Sequence, residues 1–166
     1  MPVSLLMVAL LVQGPVQPAP VAAQTRDTAK AEVETATKAF AAAFLTADVE
    51  KFTTYFAEKV TFEGDLQFLG APQKAGVMEP SRDELTKAYA GMLAAFGRDN
   101  FAAVIKPSVS ELKPIAKDGE LFSVTKTSDW VYSLSLPGRT GDDDVLMFVF
   151  RRVDGVFRII AHWADY

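Results

Sequence analysis

The sequence has no cysteine and a single histidine, His162. Without cysteine there is no disulfide, no thiol nucleophile and no thiolate metal site, so packing alone must hold the fold. One histidine without cysteine cannot assemble the usual zinc ligand set, and neither a metal nor a cofactor is expected. Basic residues are scarce and scattered: 17 Lys and Arg stand against 21 Asp and Glu, for a net charge of −4. Such a balance argues against nucleic acid or an anionic membrane as partner. Also missing are a phosphate-binding loop, a dinucleotide glycine fingerprint and a nucleophile elbow. Asp142, Asp143 and Asp144 are contiguous, lack the alternating spacing of a calcium loop, and read as a solvated hairpin loop.

Long apolar runs are lacking too. "LLMVALLV", residues 5–12, is too short to cross a bilayer as a helix. A proline-rich stretch follows it and ends in "VAAQ", where Val21 and Ala23 suit the small-residue positions before a signal-peptidase cut. Residues 1–23 are therefore read as a signal peptide and residues 24–166 as one domain, secreted or periplasmic.

What is present is periodicity. Val33, Ala36, Phe40, Ala43 and Phe44 recur at helical spacing in an alanine-rich segment, residues 28–46. Asp48 suits the N-cap of a shorter helix, "VEKFTTYFAE". A short strand is expected at residues 60–62 and another at 66–68, then an irregular loop over 70–80. Ser81 and Glu84 form a capping box that opens the clearest helix, with an apolar stripe from Leu85 to Phe96 and a stop at Gly97. From Phe101 onward the pattern reads as strands: "FAAVIK", "SVSELKPIA", "ELFSVTKTSDWVYSLSL", "VLMFVFRRV" and "VFRIIAHWADY". Asp154-Gly155 is a strong two-residue hairpin signal between the last two. Three helices and then an antiparallel meander make an α+β fold, with helices on one face of a curved sheet.

The final hairpin sets a register. A two-residue turn pairs Val153 with Val156, which places Met147 opposite His162 and Leu146 opposite Trp163. Alternation then puts Met147, Val149, Arg151, Ile160, His162, Ala164 and Tyr166 on one face. Leu146, Phe148, Phe150, Phe157, Ile159, Trp163 and Asp165 fall on the other. Both faces are largely apolar, so both need cover. Helices supply one cover, and the simplest second cover is another copy of the chain, a homodimer.

Two segments, "TADVEKFTTYFAEKVTF" and "RIIAHWADY", in this order, resemble the nuclear transport factor two-like superfamily, which includes SnoaL-like polyketide cyclases and ketosteroid isomerases. The resemblance spans most of residues 28–166. It implies a cone: a strongly curved sheet wrapped around the long first helix, with a pocket at the open end, His162 and Ala164 facing that pocket, and frequent dimerisation through the outer sheet face. The chemistry transfers poorly. Ketosteroid isomerases carry a general-base Asp just after the first strand and a Tyr eight residues before the helix-start acid; here those positions hold Gly64 and Phe40. SnoaL-like cyclases carry an acid two residues after the matching histidine, and here that residue is Ala164.

The candidate residues follow. His162 is the candidate general acid/base, because its unperturbed pKa lies near neutrality; Asp65 is its first candidate acidic partner, with Glu63 or Asp129 as substitutes. Trp130, Tyr132, Met147 and Tyr166, joined by Phe40 and Tyr55 from the first two helices, would line an apolar pocket. The leading expectation is an exported domain that binds a small apolar or amphipathic molecule. The alternatives are a SnoaL-like isomerase, lyase or cyclase working through His162, and a protein-interaction scaffold.

Overall fold

Alanine and straight-chain residues favour helix throughout the N-terminal segment, and the computed structural model, which describes residues 21–64, 76–104, 106–136 and 144–164, opens with α1 over Val21–Leu45. The Asp48 side chain accepts from the Lys51 N–H and caps α2, Val49–Thr53. Between the helices the backbone turns through Ala47, whose φ of 56° lies in the left-handed region. Ala47 is fully buried, so only a small residue suits this strained position. β1 (Phe56–Gly64) and β2 (Gly76–Met78) follow, then α3 (Arg82–Phe96) and α4 (Arg98–Val104). The Ser81–Glu84 capping box is formed as expected at the start of α3. β3 (Val109–Pro114), β4 (Trp130–Leu136), β5 (Asp144–Val153) and β6 (Val156–Ala164) complete the chain.

The fold is α+β: a curved, unclosed six-stranded sheet packed with helices. Its order is β2-β1-β6-β5-β4-β3. Four pairings are antiparallel, but β1 and β6 run parallel. The last strand, apolar on both faces, takes a place inside the sheet instead of its edge, which corrects the purely antiparallel meander. Three local expectations also change. "FAAVIK" begins inside helix α4 rather than in a strand. Residues 120–129 are not strand, since β4 begins only at Trp130. β1 starts at Phe56, so the second helix ends five residues earlier than its pattern suggested. The candidate strand at 66–68 lies outside the described residues.

The hairpin turn forms as expected, with left-handed Asp154 (φ 49°) and Gly155 (φ 82°). Register holds from Val153↔Val156 to Phe150↔Ile159, and then a bulge at Ile160 shifts it. Beyond the bulge Val149 pairs with Ala161, Phe148 with His162 and Met147 with Trp163. One extra residue moves every later side chain to the opposite face. His162 therefore joins Phe148 on the inner face, and Met147 lies with Trp163 on the outer one. This corrects the expected pairing of Met147 with His162.

The inner face holds the main core. Val33, Phe40 and Phe44 of α1, Phe52, Phe56, Phe62, Leu85 and Tyr89 bury against Leu134, Leu146, Phe148, Phe150 and Ile159. Phe40 sits in the middle, with ring centroids 4.7 Å from Phe148, 5.4 Å from Phe44 and 5.8 Å from Phe150. Each fully buried large apolar side chain contributes about 1.5–3 kcal/mol, and edge-to-face ring pairs add about 0.5–1.5 kcal/mol.

Candidate functional site

The fate of His162 follows from the bulge. On the inner face its ring stacks on Phe148, with centroids 4.3 Å apart and 7° between planes. Phe62 packs edge-on at 5.3 Å, and Phe56 lies at 6.2 Å. The side chain is fully buried. Nδ1 lies 3.0 Å from the Met147 carbonyl oxygen, which can only accept. Nδ1 therefore carries the proton, and Nε2 accepts from the Tyr89 hydroxyl at 2.8 Å. Burial lowers the His162 pKa to about 4, opposed only in part by the Met147 bond. The imidazole is neutral at physiological pH, with both nitrogens engaged.

The two candidate acids among the described residues, Asp129 and Glu63, do not reach this ring. Asp129 is fully buried on the outer side, where both its oxygens bond Arg151. Glu63 pairs across the sheet with Trp163, whose side chain packs in the outer cluster. Asp65 and Tyr166 lie outside the described residues. A general base must offer a lone pair to substrate. Among the described residues, the Nε2 lone pair of His162 is taken by a phenol and sealed among rings.

The aromatic candidates divide. Phe40 and Tyr132 meet inside the cone, 6.5 Å apart, and Tyr55 packs edge-on to Phe40 at 5.9 Å. Trp130 is buried in the same core. Burial raises the Tyr132 phenol above its usual pKa, offset by a hydrogen bond with Ser110. Met147 contributes its carbonyl to His162, while its side chain lies on the outer face. Sequence reading missed Tyr89, which it placed in an apolar helix stripe. The one available signal was its hydroxyl, which needs a partner when buried.

One end of the sheet collects Gly64, Val109, Leu136, Asp144 and Ala164, the strand ends next to the undescribed segments 65–75, 137–143 and 165–166. Leu134 and Leu146 pair on the inner face one row short of the terminal Leu136↔Asp144 pair, and Gly64 pairs with Ala164 beside them. At the β2 edge of the sheet a shallow open depression of about 200 Å³ lies among Met78, Glu79, Pro80 and Glu84; it holds none of the candidate residues. Among the described residues no group of three His, Asp or Glu could hold a metal ion. Nor, among them, is any helix long and apolar enough to cross a membrane.

No protein-family model matches the sequence, and no curated protein matches it significantly. Solved structures do match. An NTF2-like protein with a cystatin-like fold from Novosphingobium aromaticivorans superposes with a TM-score of 0.52 at 12% identity, covering 92% of this chain and 91% of that one. An NTF2-like protein of unknown function from Shewanella oneidensis gives 0.50 at 10% identity, covering 82% and 98%. At such identities the likeness concerns architecture alone: the chain has the cystatin-like cone fold of NTF2-like proteins.

Proposed function

We propose that this domain binds a small apolar or amphipathic molecule and does no chemistry on it. One observation carries the reading. In the SnoaL-like enzymes and ketosteroid isomerases that the sequence resembles, acids stand at the positions of Gly64 and Ala164, and here these two residues are paired neighbours at one end of the sheet. The place where a proton-transfer site would be assembled is occupied by the two smallest residue types. Next to it lie Leu134, Leu146 and Phe62, with the neutral His162–Tyr89 pair beneath. An end built from such apolar side chains suits a hydrophobic ligand.

The middle of the cone, around Phe40, is filled by rings, so the ligand would sit at the end bearing Gly64 and Ala164. The leader-like segment at residues 1–23 supports an exported protein that meets its ligand outside the cytoplasm. The test is a fluorescence titration with 1-anilinonaphthalene-8-sulfonate, together with native mass spectrometry of gently purified protein. Saturable one-to-one binding and a retained mass adduct are expected. Non-saturating fluorescence with no adduct would refute binding. Turnover of any substrate that disappears on replacing His162 would refute the absence of chemistry.

A further inference from the structure

β2 forms one edge of the sheet, and among the described residues no strand lies beyond it. Its pairing with β1 fixes which backbone groups that edge presents. The Val60 N–H donates to the Pro80 carbonyl at 3.0 Å, and the register Phe62↔Met78, Glu63↔Val77 continues from that pair. Hydrogen-bonded and non-bonded pairs alternate along an antiparallel ladder. Met78 and Pro80 therefore turn their backbone groups toward β1, while Val77 and Glu79 turn theirs outward. The edge offers two N–H donors and two carbonyl acceptors to an incoming strand. Its apolar side chains are uncovered: Val77 is 60% exposed and Met78 37%. Alternation puts Met78 on the side of Phe62, the inner face, and Val77 on the outer side with Glu63.

Beside this edge stands the first turn of α3, held by its capping box. The depression between them takes its apolar part from Met78 and Pro80 and its carboxylates from Glu79 and Glu84. The backbone and hydroxyl bonds from Ser81, with the charge of Lys87 behind them, hold the Glu84 carboxyl below the usual range, so it stays ionised. Among the described residues no Lys or Arg lines the depression. An extended peptide laid along β2 would set one side chain opposite Met78, in the recess, and its two neighbours opposite Val77 and Glu79 on the other face. We propose that this edge is a docking site for an extended segment of a partner protein in which apolar residues alternate with Lys or Arg. Backbone bonds to Val77 and Glu79 supply affinity, the recess takes the apolar residue, and Glu79 pairs with the cation across the added strand. The site goes beyond the ligand-binding reading and does not rest on it.

The test combines calorimetric titration with residue-resolved amide exchange by NMR, using acetyl-Lys-Leu-Lys-Leu-Lys-amide as probe and acetyl-Glu-Leu-Glu-Leu-Glu-amide as its control. Wild type should bind the basic peptide saturably, one to one and more weakly as salt rises, with slowed exchange at the Val77 and Glu79 amides. Val77→Pro removes one outward donor without touching the bonds to β1, and affinity should fall about tenfold, as for one lost backbone hydrogen bond. Glu79→Lys, at an exposed position, should abolish the preference for the basic peptide. Absence of binding, equal binding of the two peptides by wild type, or unchanged affinity in both variants would overturn the proposal. So would Val77 and Glu79 amides already protected in the free protein, because another part of the chain would then own the edge. If Val77→Pro does not fold, Glu79→Lys and the wild-type exchange pattern still decide.

Discussion

Acidification should destabilise this protein through one identifiable group. The folded His162 pKa is about 4 against an ordinary 6.5, so between these values the unfolded chain binds a proton that the native chain refuses. Stability then rises with pH, by about 1.4 kcal/mol per pH unit at most. The contribution is fully present above pH 6.5, is lost as pH falls toward 4, and amounts to about 3 kcal/mol over that window. Because the chain has only one histidine, no other imidazole titrates in this range. Urea unfolding of wild type and His162→Phe, compared at steps from pH 8 to 4.5, isolates the effect: carboxylates act on both proteins and cancel in the difference. The wild-type advantage should shrink steadily below pH 6.5. A difference that stays constant across the range would refute a sealed, neutral imidazole.

Three further outcomes are expected. Tyr89→Phe removes the donor to Nε2 and leaves a buried acceptor unpaired, so unfolding free energy should fall by about 1–3 kcal/mol, read from urea midpoints. Phe40→Ala opens a cavity where the helix meets the sheet and should cost about 3–5 kcal/mol, measured by thermal unfolding. The Thr37 hydroxyl is buried in α1 with no hydrogen-bond partner among the described residues, whereas Thr35, Thr46 and Thr53 bond carbonyls four residues back; Thr37→Val should therefore raise stability by about 1 kcal/mol in the same assay.

Local chemistry was readable and long-range geometry was not. The capping box at Ser81, the N-cap at Asp48 and the Asp154-Gly155 turn each rest on neighbouring residues, and each forms as the sequence indicates. "FAAVIK" failed because a short apolar run fits a buried helix as well as a strand. The parallel pairing of β1 with β6 joins segments about a hundred residues apart and leaves no local mark. The bulge at Ile160 mattered most. Strict alternation put His162 with Met147, but one inserted residue gave it Phe148 as neighbour, and Tyr89, 73 residues away, as hydrogen-bond partner. Residues 120–129 resemble a strand because of Leu121, Phe122 and Val124, but side chains bonding nearby backbone, as Glu120 and Asp118 do, hold the segment as a loop.

The most direct measurement is a long-range ¹H–¹⁵N NMR correlation of the single imidazole, recorded from pH 8 to pH 5. A sealed wall histidine will show the proton on Nδ1, Nε2 unprotonated, and no titration across that range. A ring that titrates near neutrality, or that holds its proton on Nε2, would contradict the enclosed Met147–His162–Tyr89 chain and restore this residue as a candidate acid or base.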